Sequence, residues 1–166
     1  MAPKRLPVRP TTDMAKEGLF NIINNRYYFE DITVLDLFSG TGNIGFEFAS
    51  RGTQNITAVD QHAGCAQFIL KTSKVLNFSI DVIKADVYKF LERSQTSYDL
   101  IFADPPYHFD IEQFLHLPNL VFKNNLLKEG GTLIVEHAPQ TQLDTHPNFY
   151  EKRKYGSSIF SFFQKS

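Results

Sequence analysis

Short aliphatic runs alternate with helical patterns along most of this chain. Thr33 to Phe38 reads as a strand, Asn43 to Arg51 as a helix, Asn55 to Asp60 as a strand, His62 to Leu76 as a helix, Ser79 to Lys84 as a strand and Val87 to Arg93 as a helix. Tyr98 to Ala103 is a hydrophobic run that reads as a buried parallel strand. Ile111 to Leu127 follows as a mostly helical crossover broken at Pro118, and Gly131 to Glu136 as a fifth strand. Repeated strand-helix units of this kind imply an α/β fold with a parallel, doubly wound sheet.

The pattern then changes. Phe149 to Lys154 and Ser157 to Phe163 are two aromatic-rich runs separated by Tyr155-Gly156, a spacing too short for a crossover helix and right for an antiparallel hairpin. Ahead of the sheet, Met14 to Asn24 has helical spacing, with Thr12 or Asp13 as cap and Leu19, Phe20 and Ile23 on one face. The expectation is one domain over residues 1–166, in which residues 1–30 form a basic segment and helix before a mostly parallel seven-stranded sheet.

Bulk composition narrows the class. A chain of 166 residues, 42% hydrophobic and 14% aromatic, can bury a substantial core. No apolar stretch approaches the roughly 18 residues of a membrane span, and the start lacks the apolar core of a secretion signal, so no membrane association and a cytoplasmic location are expected. The single cysteine, Cys65, rules out an internal disulfide, and the histidines show no metal-ligand spacing, so no metal is expected. The formal net charge is −1, yet residues 1–28 hold five basic against two acidic side chains and residues 148–166 four against one. Two basic flanks around an acidic centre suit phosphate contacts at a rim, although solvated surface accounts for such counts equally well.

The segment Asp36-Leu37-Phe38-Ser39-Gly40-Thr41-Gly42-Asn43-Ile44-Gly45 places glycines at G-x-G-x-x-G spacing after a strand and before a helix. Gly40 suits a tight turn, Gly42 the close approach of a ligand, and Gly45 close packing of the helix on its strand. Asp60, 20 residues beyond Gly40, can accept the two ribose hydroxyls of an adenosine cofactor, which both NAD and S-adenosylmethionine would satisfy. Asp36 discriminates between them, because a carboxylate ahead of the glycines repels a pyrophosphate but can pair with the ammonium of S-adenosylmethionine. Phe38 belongs to the same loop. Asp86 is either a contact for the adenine amino group, with the Val87 backbone against the ring, or a helix cap.

Asp104-Pro105-Pro106-Tyr107 ends the fourth strand, where a sheet edge opens onto a cleft. Asp104 and the carbonyl of Pro105 offer two acceptors to one exocyclic amine, Pro106 stiffens the turn, and Tyr107 presents a flat face to a ring, with His108 and Phe109 extending it. This is the chemistry of nucleobase amino-methylation, and five parallel strands finished by a hairpin match the Rossmann-like class I methyltransferase arrangement.

Arg9-Pro10-Thr11-Thr12-Asp13, then Glu17 and Leu19-Phe20, ahead of the glycine loop and Asp104-Pro105-Pro106-Tyr107, resembles the bacterial 16S ribosomal RNA guanine-N2-methyltransferases of the RsmD type. The resemblance implies an S-adenosylmethionine-dependent enzyme acting, as a monomer, on a guanine 2-amino group of 16S ribosomal RNA or the small ribosomal subunit. Arg9, Thr11 and Thr12 would lie near the active-site mouth, and Lys16 and Arg26 would hold phosphate. Where this chain has Met14, family members often carry a second basic residue. Adenine-N6 or cytosine-N4 DNA methylation, and ribosome assembly without turnover, remain alternatives on sequence grounds.

Overall fold

The computed structural model describes residues 11–165. Helix α1 (Asp13–Asn24) leads into a short 3-10 turn at Phe29–Asp31. Then come β1 (Thr33–Leu37), α2 (Asn43–Ser50), β2 (Asn55–Asp60), α3 (Ala63–Leu76), β3 (Ile80–Lys84), α4 (Val87–Arg93), β4 (Tyr98–Ala103) and α5 (Ile111–Lys123). Strands β5 (Leu127–His137), β6 (Phe149–Tyr155) and β7 (Ser158–Gln164) complete one seven-stranded sheet in the order β3-β2-β1-β4-β5-β7-β6. The first five strands run parallel, and β7 and β6 return antiparallel beside β5, as the hairpin pattern predicts.

Alternation along the strands divides the core between two faces. Val34, Phe102, Ile134 and Phe160 point to one side, against Phe20 and Ile23 of α1 and Phe48 of α2. Leu35, Leu37, Ile101, Leu133 and Val135 point to the other, against Leu91 of α4 and Phe114, Leu117 and Val121 of α5. Full burial of an aromatic such as Phe20 or Phe48 is worth about 2–3 kcal/mol, so these side chains fix where the helices dock. The docking of α1 is close: a methyl added at Gly18 would come within 2.3 Å of Tyr155 Cε1 in the hairpin.

One open alternative is resolved and two elements differ from their sequence expectation. Thr12, not Asp13, caps α1, its hydroxyl accepting the Ala15 N–H at 3.2 Å. Helix α5 is not broken at Pro118: it runs through to Lys123, with Phe114, Leu117, Pro118, Leu120 and Val121 buried. The apolar stripe outweighs the roughly 3 kcal/mol that an internal proline costs. Strand β5 begins at Leu127, which pairs with Tyr98, before an irregularity carries the next pairing to Leu100 with Thr132. The polar bulge residues Lys128 and Glu129, followed by two glycines, hide that start in the sequence. Among the described residues, no helix is long and apolar enough to cross a membrane.

The sheet order reverses direction between β1 and β4, because α2 leads outward to β2 while β4 falls on the opposite flank. The loops leaving the carboxyl ends of these two strands therefore splay apart and leave a crevice.

Candidate active site

That crevice is a cavity of about 660 Å³ bordered by the loop after β1, the ends of β2 and β3, and the turn after β4. Phe38, Gly40 and Gly42 of the first loop all have positive φ, 55°, 57° and 89°. Gly40 donates its N–H to Asp60 Oδ2 at 2.9 Å, so the second strand holds the loop in place. Gly42 does not border the cavity. Its missing side chain clears Phe46 and Ile69, at 2.9 and 3.0 Å from a built Cβ, and its left-handed φ starts α2. Backbone conformation and packing by themselves call for a glycine here.

Four carboxyls border the cavity, Asp104 from the turn after β4 and three from the ends of β1, β2 and β3. Asp60 accepts from Gly40 through one oxygen and from the His62 N–H at 2.9 Å through the other. Asp86 caps α4 through the Lys89 N–H at 3.1 Å, which is the helix-cap role, and borders the cavity beside Val87. Asp36 is 1% exposed and accepts the Gly45 N–H at 3.2 Å. Burial raises its pKa from 3.8 to about 8, the Gly45 hydrogen bond pulls it back, and the neighbouring charge of Asp60 pushes it further up. A carboxyl with a pKa raised to about 8 holds a proton at neutral pH, and a cation placed beside it would favour its release.

Across the cavity, Asp104 is half-buried, Pro105 buried and Tyr107 48% exposed. The Asp104 N–H reaches the Leu37 carbonyl at 3.4 Å, linking the turn to β1, and the Phe109 N–H donates to the Pro106 carbonyl at 3.1 Å, closing it. The Phe109 ring meets Phe38 edge-on at 5.7 Å and stacks with Tyr88 at 6.2 Å. An aromatic wall therefore joins the turn to the glycine loop.

The structure gathers Asp36, Phe38, Gly40, Asp60, Asp86, Val87, Asp104, Pro105, Pro106, Tyr107, Thr11 and His108 around this one cavity. Four other sequence-derived residues stand apart from it. Gly42 is accounted for above, and Thr12 is the α1 cap. Lys16 bonds Asn43 Oδ1 at 3.1 Å and pairs with Glu47 at 3.5 Å. Arg26 is held by Glu151 and Tyr150 and lies 5.3 Å from the Phe162 ring centre, so its guanidinium packs on the hairpin instead of facing the crevice. Arg9 lies outside the described residues.

Sequence reasoning missed Glu136 and Asn43. Glu136 is 1% exposed and accepts the Thr11 hydroxyl at 2.6 Å, while Asn43 Nδ2 donates to the Thr11 carbonyl at 3.4 Å. The signal for Glu136 was present: a carboxylate at the carboxyl end of the buried run Leu133-Ile134-Val135, like Asp60 and Asp104 on their own strands.

Comparison with known proteins matches residues 2–164 to the family described as Conserved hypothetical protein 95. The chain is 32% identical to ribosomal RNA small subunit methyltransferase D of Haemophilus influenzae, over 96% of this chain and 86% of that protein. Among solved structures, a hypothetical protein of Thermus thermophilus superposes with a TM-score of 0.85 at 22% identity, covering 99% of this chain and 92% of that one. The T. thermophilus 16S rRNA N2 G1207 methyltransferase RsmC, solved with AdoMet and guanosine, has a TM-score of 0.76 at 19% identity. That match covers 97% of this chain and 45% of the larger protein.

Proposed function

The chain belongs to the Conserved hypothetical protein 95 family, and on that premise we propose that it transfers the methyl group of S-adenosylmethionine to the 2-amino group of a guanine in 16S ribosomal RNA, presented on the small ribosomal subunit. One observation carries the reading: the turn of Asp104 to Tyr107 and the Gly40 loop leave adjacent strands and border the same cavity. A volume of about 660 Å³ suits a cofactor of this size. The donor set suits it as well, with Asp36 for the ammonium, Asp60 for the ribose hydroxyls, and Asp86 with the Val87 backbone for the adenine.

When bound, S-adenosylmethionine supplies an electrophilic methyl on a leaving group that departs uncharged. The protein must prepare the nucleophile. An exocyclic amine is a poor one because its lone pair is delocalised into the ring. Asp104 and the Pro105 carbonyl accept its two N–H groups, which favours pyramidal nitrogen and aims the lone pair into the cavity. Positioning and fixed electrostatics supply most of the acceleration. Tyr107 stacks on the base once it has left its helix or loop, and Asp104 takes the proton that the methylated nitrogen sheds.

The test is incubation with labelled S-adenosylmethionine and unmethylated small subunits, naked 16S RNA or duplex DNA, followed by digestion to nucleosides. Label on N2-methylguanosine is the expected result. Label on N6-methyladenine or N4-methylcytosine overturns the base assignment, and no transfer to any substrate overturns the enzymatic one.

A further inference from the structure

The β4–β5 ladder ends on the pair Ala103–Val135, so Asp104 and Glu136 are the next residues on neighbouring strands. Glu136 is buried, and each of its oxygens accepts a hydroxyl: Oε1 from Thr11 at 2.6 Å and Oε2 from Ser158 at 3.0 Å. Those hydroxyls come from the lead-in to α1 and from the first residue of β7, so two chain segments hold the carboxylate, one at each oxygen. A hydroxyl has one proton, and Thr11 commits its own to Glu136. Thr11 borders the cavity, and any contact its hydroxyl oxygen makes there is made as an acceptor. Its carbonyl, which receives Asn43 Nδ2 at 3.4 Å, is an acceptor by nature.

This polarity matters for the choice of base. Beside its 2-amino group, guanine carries a ring N1–H donor. Beside their amines, adenine and cytosine carry a bare ring nitrogen, an acceptor. We propose that Thr11, oriented by Glu136, selects guanine by accepting the N1–H of the target base while Asp104 and Pro105 take its amine. The inference rests on the amino-methylation reading above and deepens it. Adenine or cytosine in the same place would set a lone pair against the Thr11 oxygen with no proton between them, leaving two buried acceptors unsatisfied. Thr11 is then the specificity-determining contact, and Glu136 is a positioning residue that acts through it.

The experiment compares small subunits reconstituted with guanine or with 2-aminopurine at the methylated position. 2-Aminopurine keeps the 2-amino group and lacks the N1 proton. For the wild-type enzyme, kcat/KM favours guanine by about 10–100-fold, the usual effect of one buried hydrogen bond lost with its partner left unpaired. Thr11→Val keeps the side-chain shape without the hydroxyl and brings that ratio to within about threefold of one, while Thr11→Ser keeps the hydroxyl and retains the preference. Glu136→Gln, which no longer fixes the direction of the Thr11 proton, lowers the ratio as well. The ratio is read within each protein, so a purely structural role for Thr11 or Glu136 slows both bases alike and leaves it unchanged. A wild-type ratio near one, or ratios in Thr11→Val and Glu136→Gln equal to wild type, overturns the selector and leaves the guanine reading standing. Transfer to neither base by the wild-type enzyme overturns that reading and the selector with it.

Discussion

Replacing Asp36 by Asn separates what the cavity needs from what the fold needs. Asn has the shape of a protonated carboxyl and can still accept the Gly45 N–H that Asp36 accepts at 3.2 Å. Burial lifts the Asp36 pKa from 3.8 to about 8, so the folded state holds a proton that the unfolded chain releases. The sign follows from the direction. The stability associated with this carboxyl is complete below pH 3.8 and is lost as pH rises toward 8. At pH 7 the unfolded chain has gained about three powers of ten in ionisation, or about 4 kcal/mol at 1.4 kcal/mol for each. Asp36 borders an open cavity, so solvent screening reduces this, and the expected gain from Asp36→Asn at pH 7 is about 2–4 kcal/mol. In a chain of this length that raises Tm by roughly 5–15 °C. Urea denaturation of both proteins at pH 5, 7 and 9 reads the effect. The gap is about 1 kcal/mol at pH 5, widens by at most about 1.4 kcal/mol for each pH unit, and levels off above pH 8. The stabilised variant is expected to bind S-adenosylmethionine more weakly, having lost the partner proposed for its ammonium. A gap that does not change with pH, or a variant less stable than wild type at pH 7, would refute the argument.

Asp104→Ala lowers single-turnover methyl transfer by at least about 100-fold while calorimetry finds S-adenosylmethionine affinity within about threefold of wild type; undiminished turnover removes the proposed acceptor. Asp60→Ala weakens cofactor binding by at least about tenfold and lowers stability by about 1–3 kcal/mol, because the Gly40 and His62 N–H groups lose their shared partner. Unchanged cofactor affinity would take Asp60 out of the ribose site. Gly18→Ala places a methyl 2.3 Å from Tyr155 Cε1 and costs about 1–3 kcal/mol in chemical denaturation. Adding Tyr155→Leu to Gly18→Ala recovers most of that loss, and no loss in the single variant would mean that α1 is not packed as described.

The parallel strands were legible because each is a short apolar run with a polar or glycine-rich exit. β2 and β4 fall at the positions read from sequence, and β1 is one residue shorter than expected. The turn at Asp104 and the loop at Gly40 were legible for a related reason, since their chemistry is contiguous in the chain. What the sequence hid depends on pairing across distance. The early start of β5 is visible only once Leu127 is set beside Tyr98. The length of α5 is visible only once its apolar stripe has a sheet to cover. Arg26 reads as a phosphate ligand by resemblance and by its place in a basic segment, and nothing local announces that Glu151 and two aromatic rings of the hairpin take its guanidinium. Thr11 and Glu136 lie 125 positions apart, so no spacing rule joins them.

The grip of Thr11 and Ser158 on one carboxylate also sets an order of events during translation. A growing chain acquires the Gly40 loop first and the Asp104 turn second, both before the codon for Ser158 has been read. Until the β6–β7 hairpin has been made and folded back, Glu136 lacks the Ser158 hydroxyl that holds its Oε2. If Thr11 is the proposed selector, its full restraint thus arrives later in synthesis than the Gly40 loop and the Asp104 turn.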